Sequence, residues 1–367
     1  MRIDRRLASH FNWPIFGLAI GLVLIGVLTI YSATRDLSGN GVSPLALRQL
    51  YWLIIGVTLM VATFTFDYHL IDRYAYAFYA GVLLLLLLVL FYGVVSGGSQ
   101  RWLNLGIFSL QPSELAKLAI VVVLAKALQE EEPLGGYRLR DLWIPFVLAA
   151  PLFFLILVQP DLGTAVIFFL IFFTVILMGV LHIRSLLLLG LGGIVLLPIG
   201  WLFLKPYQQA RLQVFLSPDL DRLGTGYHVI QSKIAIGSGR LFGKGYLGGT
   251  QNRLDFLPAQ HTDFVFSVFA EEWGFFGCVF LLGLYLALIL LAFKVVTRAK
   301  DRLGALLAFG AIAIIVWPAV INVAMVTGVL PVAGVPLPFM SYGGSSLVIT
   351  MVAVGVIINV SMRRFMF

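Results

Sequence analysis

Apolar runs of about twenty residues recur along this sequence of 367 residues. A helix of that length crosses the hydrocarbon core of a bilayer, which is about 30 Å thick. Hydrophobic residues make up 60% of the chain, charged residues make up 11%, and the mean hydropathy is +1.00. The chain is therefore predicted to be an all-α polytopic membrane protein rather than a soluble domain.

The runs predict about ten transmembrane helices. They lie at about 12–32, 49–66, 74–95, 114–129, 143–158, 162–180, 184–204, 264–294, 303–330 and 343–362. The fourth is the weakest of these predictions because Glu114 and Lys117 fall in its first turns. Without this helix, every later one would have the opposite direction.

Lysine and arginine are distributed unevenly between the runs. With the N-terminus in the cytoplasm, the inner segments hold fourteen of them and the short outer segments hold three, Arg35, Arg48 and Arg101. The positive-inside rule then predicts that both termini are cytoplasmic and that a long extracytoplasmic loop, about 205–263, joins helices 7 and 8. This orientation, and not nucleic-acid binding, explains the net charge of +8.

The glycine-rich part of the loop contains "GSGRLFGKG", which resembles a phosphate-binding loop only in part. Ser238 stands where that motif needs its first glycine, and Gly245 follows Lys244 where it needs serine or threonine. We therefore predict a close-packed turn near the membrane surface and no nucleotide or organic cofactor. Cys278 is the single cysteine, and the five histidines are far apart, so no thiolate or zinc site is predicted.

The loop ends in a polar segment, "NRLDFLPAQHTDF", between two apolar regions. Asp263 directly precedes the run that begins at Phe264, so it is predicted to be an N-cap or first-turn residue of that helix. Asp255 has no such structural explanation. Its apolar neighbours should desolvate the carboxylate and raise its basicity, which makes Asp255 the predicted general base. Arg253 would either oppose that effect or bind a phosphate.

Two further motifs place charges at helix starts. In "SLQPSELAKLAI", Glu114 and Lys117 share one helix face, either as an ion pair or as functional groups inside a span. In "LVQPDLGTA", Asp161 is either a helix cap or a second acid of an outward cavity. The segment "GVLPVAGVPLPFMSYGGSS" is either a rigid connector or a wall of that cavity.

The predicted outer half thus gathers both acids and bases: Arg48, Arg101, Glu114, Lys117, Asp161, Arg253, Asp255 and Asp263. A cavity with both signs of charge suits a substrate that has an anionic head and a hydroxyl to be activated. A lipid-linked phosphate sugar fits that description.

Four segments resemble the SEDS family of bacterial cell-wall polymerases: "GGSQRWLNLGIFSLQPSELAKL", "QPDLGTA", "GSGRLFGKGYLGGTQNRLDFLPAQHTDFVFSVFAEEWGFFG" and "PLPFMSYGGSS". The resemblance covers nearly the whole chain, so residues 1–367 are expected to form one transmembrane domain of this type. The last segment and the short tail after Ser361 are more similar to the branch that acts in elongation than to the division branch.

The resemblance implies a peptidoglycan glycosyltransferase of the bacterial cytoplasmic membrane, embedded among membrane lipids. It would join the disaccharide-pentapeptide units of lipid II into a nascent glycan strand at the outer face, during elongation and maintenance of rod shape. Its implied partner is a class B penicillin-binding protein that crosslinks the strands. The family's essential aspartate would be Asp255, and its other polar positions match Glu114, Lys117 and Asp161.

Charge suggests the mechanism. One base and no second carboxylate nucleophile favour a single displacement with inversion at the sugar carbon. The departing lipid pyrophosphate would need cations, supplied by Lys117, Arg48 or a divalent cation such as Mg²⁺, for which the sequence shows no protein ligand set. The alternatives are a lipid II flippase that uses the same cavity and a scaffold that only recruits the crosslinking enzyme.

Overall fold

A computed structural model describes residues 10–35, 43–96, 99–104, 106, 108–129, 137, 139–178, 202, 206–216, 225–253, 256–257 and 259–364. Of the helix predicted at about 184–204, only residue 202 is among these residues. Each of the other predicted membrane helices is present within a few residues of its expected bounds. The weakest prediction, the fourth helix, is present as the helix Pro112–Leu128, although this helix is not among the described ones that are long and apolar enough to cross a membrane.

The helices before the loop are α1 (Trp13–Thr34), α2 (Pro44–Thr65), α3 (Tyr68–Arg73), α4 (Ala75–Tyr92), α5 (Pro112–Leu128), α6 (Trp143–Val158) and α7 (Leu162–Met178). A short 3-10 helix, Leu139–Leu142, precedes α6. In the loop lie α8 (Pro206–Leu216), α9 (Thr225–Ser238) and α10 (Thr250–Arg253). The chain continues with α11 (Val265–Val296), α12 (Arg302–Val326) and α13 (Gly344–Arg363).

Six of the described helices, α1, α2, α4, α11, α12 and α13, are long and apolar enough to cross a membrane, and α6 and α7 are shorter apolar helices. This confirms the polytopic helical class. The start of α1 meets the end of α13, because Nδ2 of Asn12 donates to Oγ of Ser361 at 3.2 Å. The two described chain ends therefore lie on the same side of the bundle, as an even number of spans requires.

The centre of the bundle is formed by α5, α12 and α13, in which most side chains are buried. Peripheral helices instead expose large apolar side chains, such as Phe91 of α4 and Phe280 of α11. Apolar burial at the centre and apolar exposure at the periphery are what a bundle surrounded by lipid tails needs. Because α5 is central, the charges in its first turn face protein and not lipid.

A small antiparallel sheet lies between α4 and α5, in the order β1 (Val94–Ser96), β2 (Ser99–Asn104), β3 (Ser109–Leu110). In its register, Val94 pairs with Trp102 and Leu103 with Leu110. The sequence analysis predicted helices and connecting segments and did not predict this sheet, because strands this short show no readable alternation. Its functional effect is to fix β2, which carries Arg101.

Helix α11 is interrupted at Gly274, which has φ 65° and ψ −164°. An interruption frees backbone groups that must find partners in a low-dielectric region. The N–H of Phe275 donates to the carbonyl of Arg240 at 2.9 Å, and the N–H of Phe276 donates to that of Leu241 at 3.2 Å. The glycine-rich part of the loop therefore supplies acceptors to the second half of α11.

The same loop segment supplies donors to the first half of α11. The N–H groups of Lys244 and Gly245 donate to the carbonyls of Glu271 and Glu272, each at 3.0 Å. Gly243 allows this approach, because a Cβ there would lie 2.1 Å from the Glu272 carbonyl oxygen. The predicted close-packed turn is confirmed, and its glycines serve to insert the loop into the interrupted helix.

Candidate functional site

Arg101 joins the sheet to the start of α7. Its Nη1 lies 3.4 Å from Oδ1 of Asp161, and its Nη2 donates to the carbonyl of Pro160 at 3.2 Å. The Asp161 side chain is only 3% exposed and that of Arg101 is 23% exposed. Because the Asp161 carboxylate is buried and the Arg101 guanidinium is partly exposed, the pair places a positive charge at the rim of a polar site.

Asp161 also caps α7, because Oδ1 accepts from the backbone N–H of Thr164 at 3.2 Å and Oδ2 accepts from its hydroxyl at 2.9 Å. Nε2 of Gln111 donates to Oδ2 at 3.3 Å. The predicted capping contact of Asp161 is thus confirmed, and the same carboxylate orients Arg101. Its participation in substrate binding stays a prediction.

Glu114 and Lys117 form a buried ion pair in the first turn of α5. Nζ of Lys117 lies 2.7 Å from Oε1 and 2.6 Å from Oε2 of Glu114, and only the Oε1 contact has hydrogen-bond geometry. Glu114 is 4% exposed and Lys117 is 3% exposed. Each charge therefore needs the other, since an unpaired ion at this depth would be strongly destabilising. The predicted pair is confirmed, and its functional role is not tested.

Asp263 does not have the role that the sequence suggested. The cap of α11 is Phe264, without a side-chain hydrogen bond, so the prediction that Asp263 caps this helix is wrong. Burial instead raises the pKa of Asp263 to about 6, although the charges of Arg211 and Arg101 and a hydrogen bond from Thr262 lower it. The carboxyl pKa of Asp263 is therefore close to neutral pH, and the charges of two guanidinium groups act on it.

The segment between α12 and α13, residues 328–343, lies against Asp263. Nδ2 of Asn322 donates to the backbone carbonyls of Asp263, at 2.8 Å, and of Val335, at 2.6 Å. Oγ of Ser341 donates to the carbonyl of Thr262 at 2.5 Å. One side chain of α12 thus holds the acid-bearing segment and the proline-rich segment together, which fits the rigid connector, and the role of this segment as a cavity wall stays a prediction.

The structure brings together some predicted site residues and not others. Arg101, Asp161 and Asp263 form one group, and Glu114 with Lys117 forms a second. Arg48 is exposed on α2 and makes no ion pair within the described part of the chain. Arg253 ends α10, but its side chain and the whole of Asp255 lie outside the described residues.

The described residues offer acid–base chemistry and anion binding. A carboxylate whose pKa is about 6 is ionised at neutral pH and can accept a proton from a hydroxyl group. The neighbouring guanidinium groups can stabilise developing negative charge. One sequence signal could have revealed this acid. Asp263 directly precedes the apolar first turn of a helix, and burial of that turn would desolvate an ionised carboxylate.

No three His, Cys, Asp or Glu side chains meet as metal ligands within the described residues. Among the acids predicted from the sequence, Glu114 and Asp161 are each paired with a cation. The described residues therefore do not fit a divalent cation site. The Mg²⁺ expectation stays a prediction for which this part of the chain supplies no ligand set.

The apolar helical bundle, with its buried charges near one end, defines the class of polytopic helical membrane proteins. The model of the FtsW/RodA/SpoVE family, described as cell cycle protein, matches residues 12–365. The chain belongs to this family, which confirms the SEDS resemblance seen in the sequence.

Relatives and solved structures agree with that assignment. The chain is 37% identical over 361 residues to the peptidoglycan glycosyltransferase MrdB of Escherichia coli K12, covering 97% of this chain and 95% of the relative. It resembles a chain of a peptidoglycan synthase complex that coordinates polymerization and crosslinking, with TM-score 0.82, 36% identity and coverage of 97% and 99%. A mutant of the rod shape determining protein RodA of Thermus thermophilus matches with TM-score 0.73, 32% identity and coverage of 97% and 99%.

Proposed function

We propose that the chain is a peptidoglycan glycosyltransferase that polymerises lipid II into glycan strands during cell elongation. Family membership and the name of the E. coli relative support this activity. The observation that carries the chemistry is Asp263, an acid whose pKa is raised to about 6 beside Arg101 and Arg211. A base near neutrality next to cations suits transfer of a sugar from a diphosphate to a hydroxyl.

In the proposed step, the 4-hydroxyl oxygen of the acceptor sugar attacks C1 of the donor sugar. The carboxylate takes the hydroxyl proton as the new C–O bond forms and the bond from C1 to the diphosphate oxygen breaks. The electron pair of that bond leaves with the lipid diphosphate. One base and one displacement give inversion at C1, whereas a retaining mechanism needs a second carboxylate as nucleophile.

Two aspartates compete for the role of base. Asp255 was predicted from its apolar neighbours and from the family resemblance, and it lies outside the described residues. Asp263 has surroundings that suit a general base, because it is partly buried, the charges of two guanidinium groups act on it and its backbone carbonyl is fixed by Asn322. We therefore propose Asp255 and Asp263 as the two candidates for the base, and the same assay separates them.

The leaving diphosphate needs positive charge. Arg101 is held in place by Asp161, so it is oriented before substrate binds and loses little entropy on binding. The Lys117 side chain is buried and its charge is neutralised by Glu114. It would therefore bind the diphosphate while it remains paired with Glu114. Arg48 and Arg253 are proposed as further contacts for the anionic head, and a divalent cation such as Mg²⁺ remains a candidate for the same charge.

We further propose that the end of the bundle bearing α8, α9 and α10, here called the loop end, faces the outside of the cytoplasmic membrane. The excess of lysine and arginine at the other end supports this orientation. A class B penicillin-binding protein is the proposed partner, since the structurally similar complex joins polymerization to crosslinking. Apolar helix surfaces suffice for such a contact in the bilayer.

The rival function is transport of lipid II across the membrane. A transporter needs a polar path that reaches both ends of the bundle. At the end opposite the loop end, the described charges instead join helix ends: Arg363 lies 3.5 Å from Asp67, and Asp301 caps α12. This arrangement supports polymerisation over transport.

The test is polymerisation of lipid II by the purified full-length chain, with products separated on gels. Asp263→Asn should abolish polymer, and Asp255→Asn should retain it if Asp263 is the base. Arg240→Gln, which removes an exposed charge just beyond α9, is the control and should polymerise normally. Loss of polymer in Asp255→Asn with activity retained in Asp263→Asn would return the catalytic role to Asp255. A wild-type chain that only moves lipid II between leaflets would overturn the proposal.

A further inference from the structure

Two adjacent acids, Glu271 and Glu272, lie just before the interruption of α11 and are 0% and 2% exposed. A carboxylate buried this deeply is strongly destabilising unless hydrogen-bond donors surround it. Oγ of Ser32 in α1 donates to Oε1 of Glu272. Within the described part of the chain, the donors to Glu271 all come from the loop. Glu271 therefore joins the loop to α11.

One carboxylate oxygen of Glu271 accepts four hydrogen bonds. The backbone N–H and the hydroxyl of Thr250 donate to Oε1 at 2.8 and 3.0 Å, and the backbone N–H of Gln251 donates to it at 3.2 Å. Nζ of Lys244 donates to the same oxygen at 2.5 Å. Thr250 and Gln251 are the first two residues of α10. The Glu271 side chain thus fixes the start of α10 against α11.

The other oxygen, Oε2, has no hydrogen-bond partner among the described residues. It faces Gly249, where an added Cβ would lie 3.2 Å away. Gly249 is itself buried, so the carboxylate is closed off from solvent. Glu271 therefore does not touch a substrate, and it can affect a reaction only through the residues that it holds.

The residues held by Glu271 lead directly into the polar segment at the end of the loop. The N–H of Phe256 donates to the carbonyl of Gln251 at 3.2 Å, which connects the chain after α10 to a residue that Glu271 anchors. Arg253 and Asp255 stand between these two residues in the sequence. A shift of Gln251 would therefore move the chain on both sides of Arg253 and Asp255.

We propose that Glu271 is a positioning residue for the glycosyl transfer, because it holds residues 250–256 in one fixed place against α11. This inference rests on the proposed function. It does not depend on which aspartate is the base, since Asp255 follows the anchored residues and Asp263 directly precedes Phe264, the cap of the helix that bears Glu271. Groups that are fixed before substrate binds need no reorganisation during the reaction, and a small displacement of them is costly to the rate.

The experiment compares two changes of Glu271 in the purified full-length chain, with lipid II as substrate. Glu271→Met keeps the length of the side chain and removes the acceptor oxygen. Its kcat per folded protein should fall by about tenfold or more, while KM stays within about threefold, because reacting groups are displaced and the bulk of the binding surface is not. Glu271→Gln retains the acceptor and loses no hydrogen bond at Oε2, so it should keep about half of kcat or more.

Asp301→Ala is the matched structural control at the opposite end of the bundle. Its Oδ1 accepts from the N–H of Gly304 and its Oδ2 accepts from the hydroxyl of Tyr68, each at 2.7 Å. Its loss should lower the melting temperature and leave kcat of the folded protein within about twofold. If Glu271→Met does not fold, Lys244→Met removes one donor to the same oxygen from a side chain that is 27% exposed, and should lower kcat in the same direction.

Hydrogen exchange measured by mass spectrometry follows the contact without any activity. Exchange in residues 248–257 should become faster in Glu271→Met and stay unchanged in Glu271→Gln. Unchanged exchange in Glu271→Met would show that the carboxylate does not hold α10. Faster exchange with normal kcat, or an equal loss of kcat in Asp301→Ala, would reduce Glu271 to a structural residue and overturn the proposal. If the wild-type chain forms no glycan, the proposed function fails and the positioning role with it, whereas the exchange result still decides whether the contact exists.

Discussion

The guanidinium of Arg101 lies 3.4 Å from the carboxylate of Asp161, which ties strand β2 to the first turn of α7. The same guanidinium lowers the pKa of Asp263, although burial has the larger effect and leaves that pKa at about 6. The Arg101 guanidinium, on a short sheet, thus acts on two carboxylates that lie far apart in the sequence. Asp161 fixes the position of the guanidinium, and the charge of the guanidinium lowers the pKa of Asp263.

The first prediction concerns the pH dependence of polymerisation. If ionised Asp263 is the base, the rate should rise as pH increases through about 6 and fall below it. Arg101→Gln removes a cation that favours the carboxylate, so the acidic limb of the profile should move to higher pH. Arg240→Gln, at an exposed position, should leave the limb in place. An unchanged limb in Arg101→Gln would argue against Asp263 as the titrating group.

The second prediction concerns the stability of Asp263→Asn. A carboxyl pKa raised from 3.8 to about 6 means that ionisation costs more in the folded than in the unfolded state, and this penalty is complete above pH 6 and absent below pH 3.8. The variant should therefore gain about 1–2 kcal/mol at pH 8, after allowance for partial exposure, and almost nothing at pH 4. Melting temperatures at the two pH values measure this. A lower melting temperature at pH 8 would restore the capping role.

The third prediction concerns the buried pair Glu114 and Lys117. Lys117→Met leaves a carboxylate without its partner in the bundle and should destabilise the protein by about 3–5 kcal/mol. Adding Glu114→Gln removes the uncompensated charge and should restore most of the stability. If Lys117 also acts on the diphosphate, the double variant will remain inactive. Recovery of both melting temperature and polymerisation would show that the pair is only structural.

The sequence predicted the membrane helices well because a twenty-residue apolar run has few alternatives in a bilayer. It did not predict the interruption of α11, because Gly274 lies within a long apolar run and its partners are backbone groups more than twenty residues earlier. It also misjudged Asp263. The position before Phe264 is that of a cap, and only the fold shows that Arg101 and Arg211 lie nearby and that the carboxylate does not cap the helix.

The fourth prediction tests the interrupted helix. Gly274→Ala introduces a side chain at φ 65°, with its Cβ 2.3 Å from the backbone nitrogen of Gly243, and should cost about 1–3 kcal/mol or more. Segment 239–249 should then become more sensitive to protease. Gly283→Ala is the control on the same helix, since nothing lies within 4 Å of its added Cβ. That control should be neutral or slightly stabilising because alanine favours helix. Equal effects of the two changes would mean that the inserted loop contributes nothing.

The last prediction concerns the side of the membrane that the loop end faces. Phe242 is 79% exposed at the loop end, and Tyr74 is 56% exposed at the opposite end. In a Cys278→Ser background, a cysteine at either position is the only thiol in the chain. If the loop end is extracytoplasmic, an impermeant maleimide added to intact spheroplasts should label Phe242→Cys, while Tyr74→Cys should react only after the membrane is opened. The reverse pattern would place the proposed base in the cytoplasm, where it could not extend a glycan strand outside the membrane.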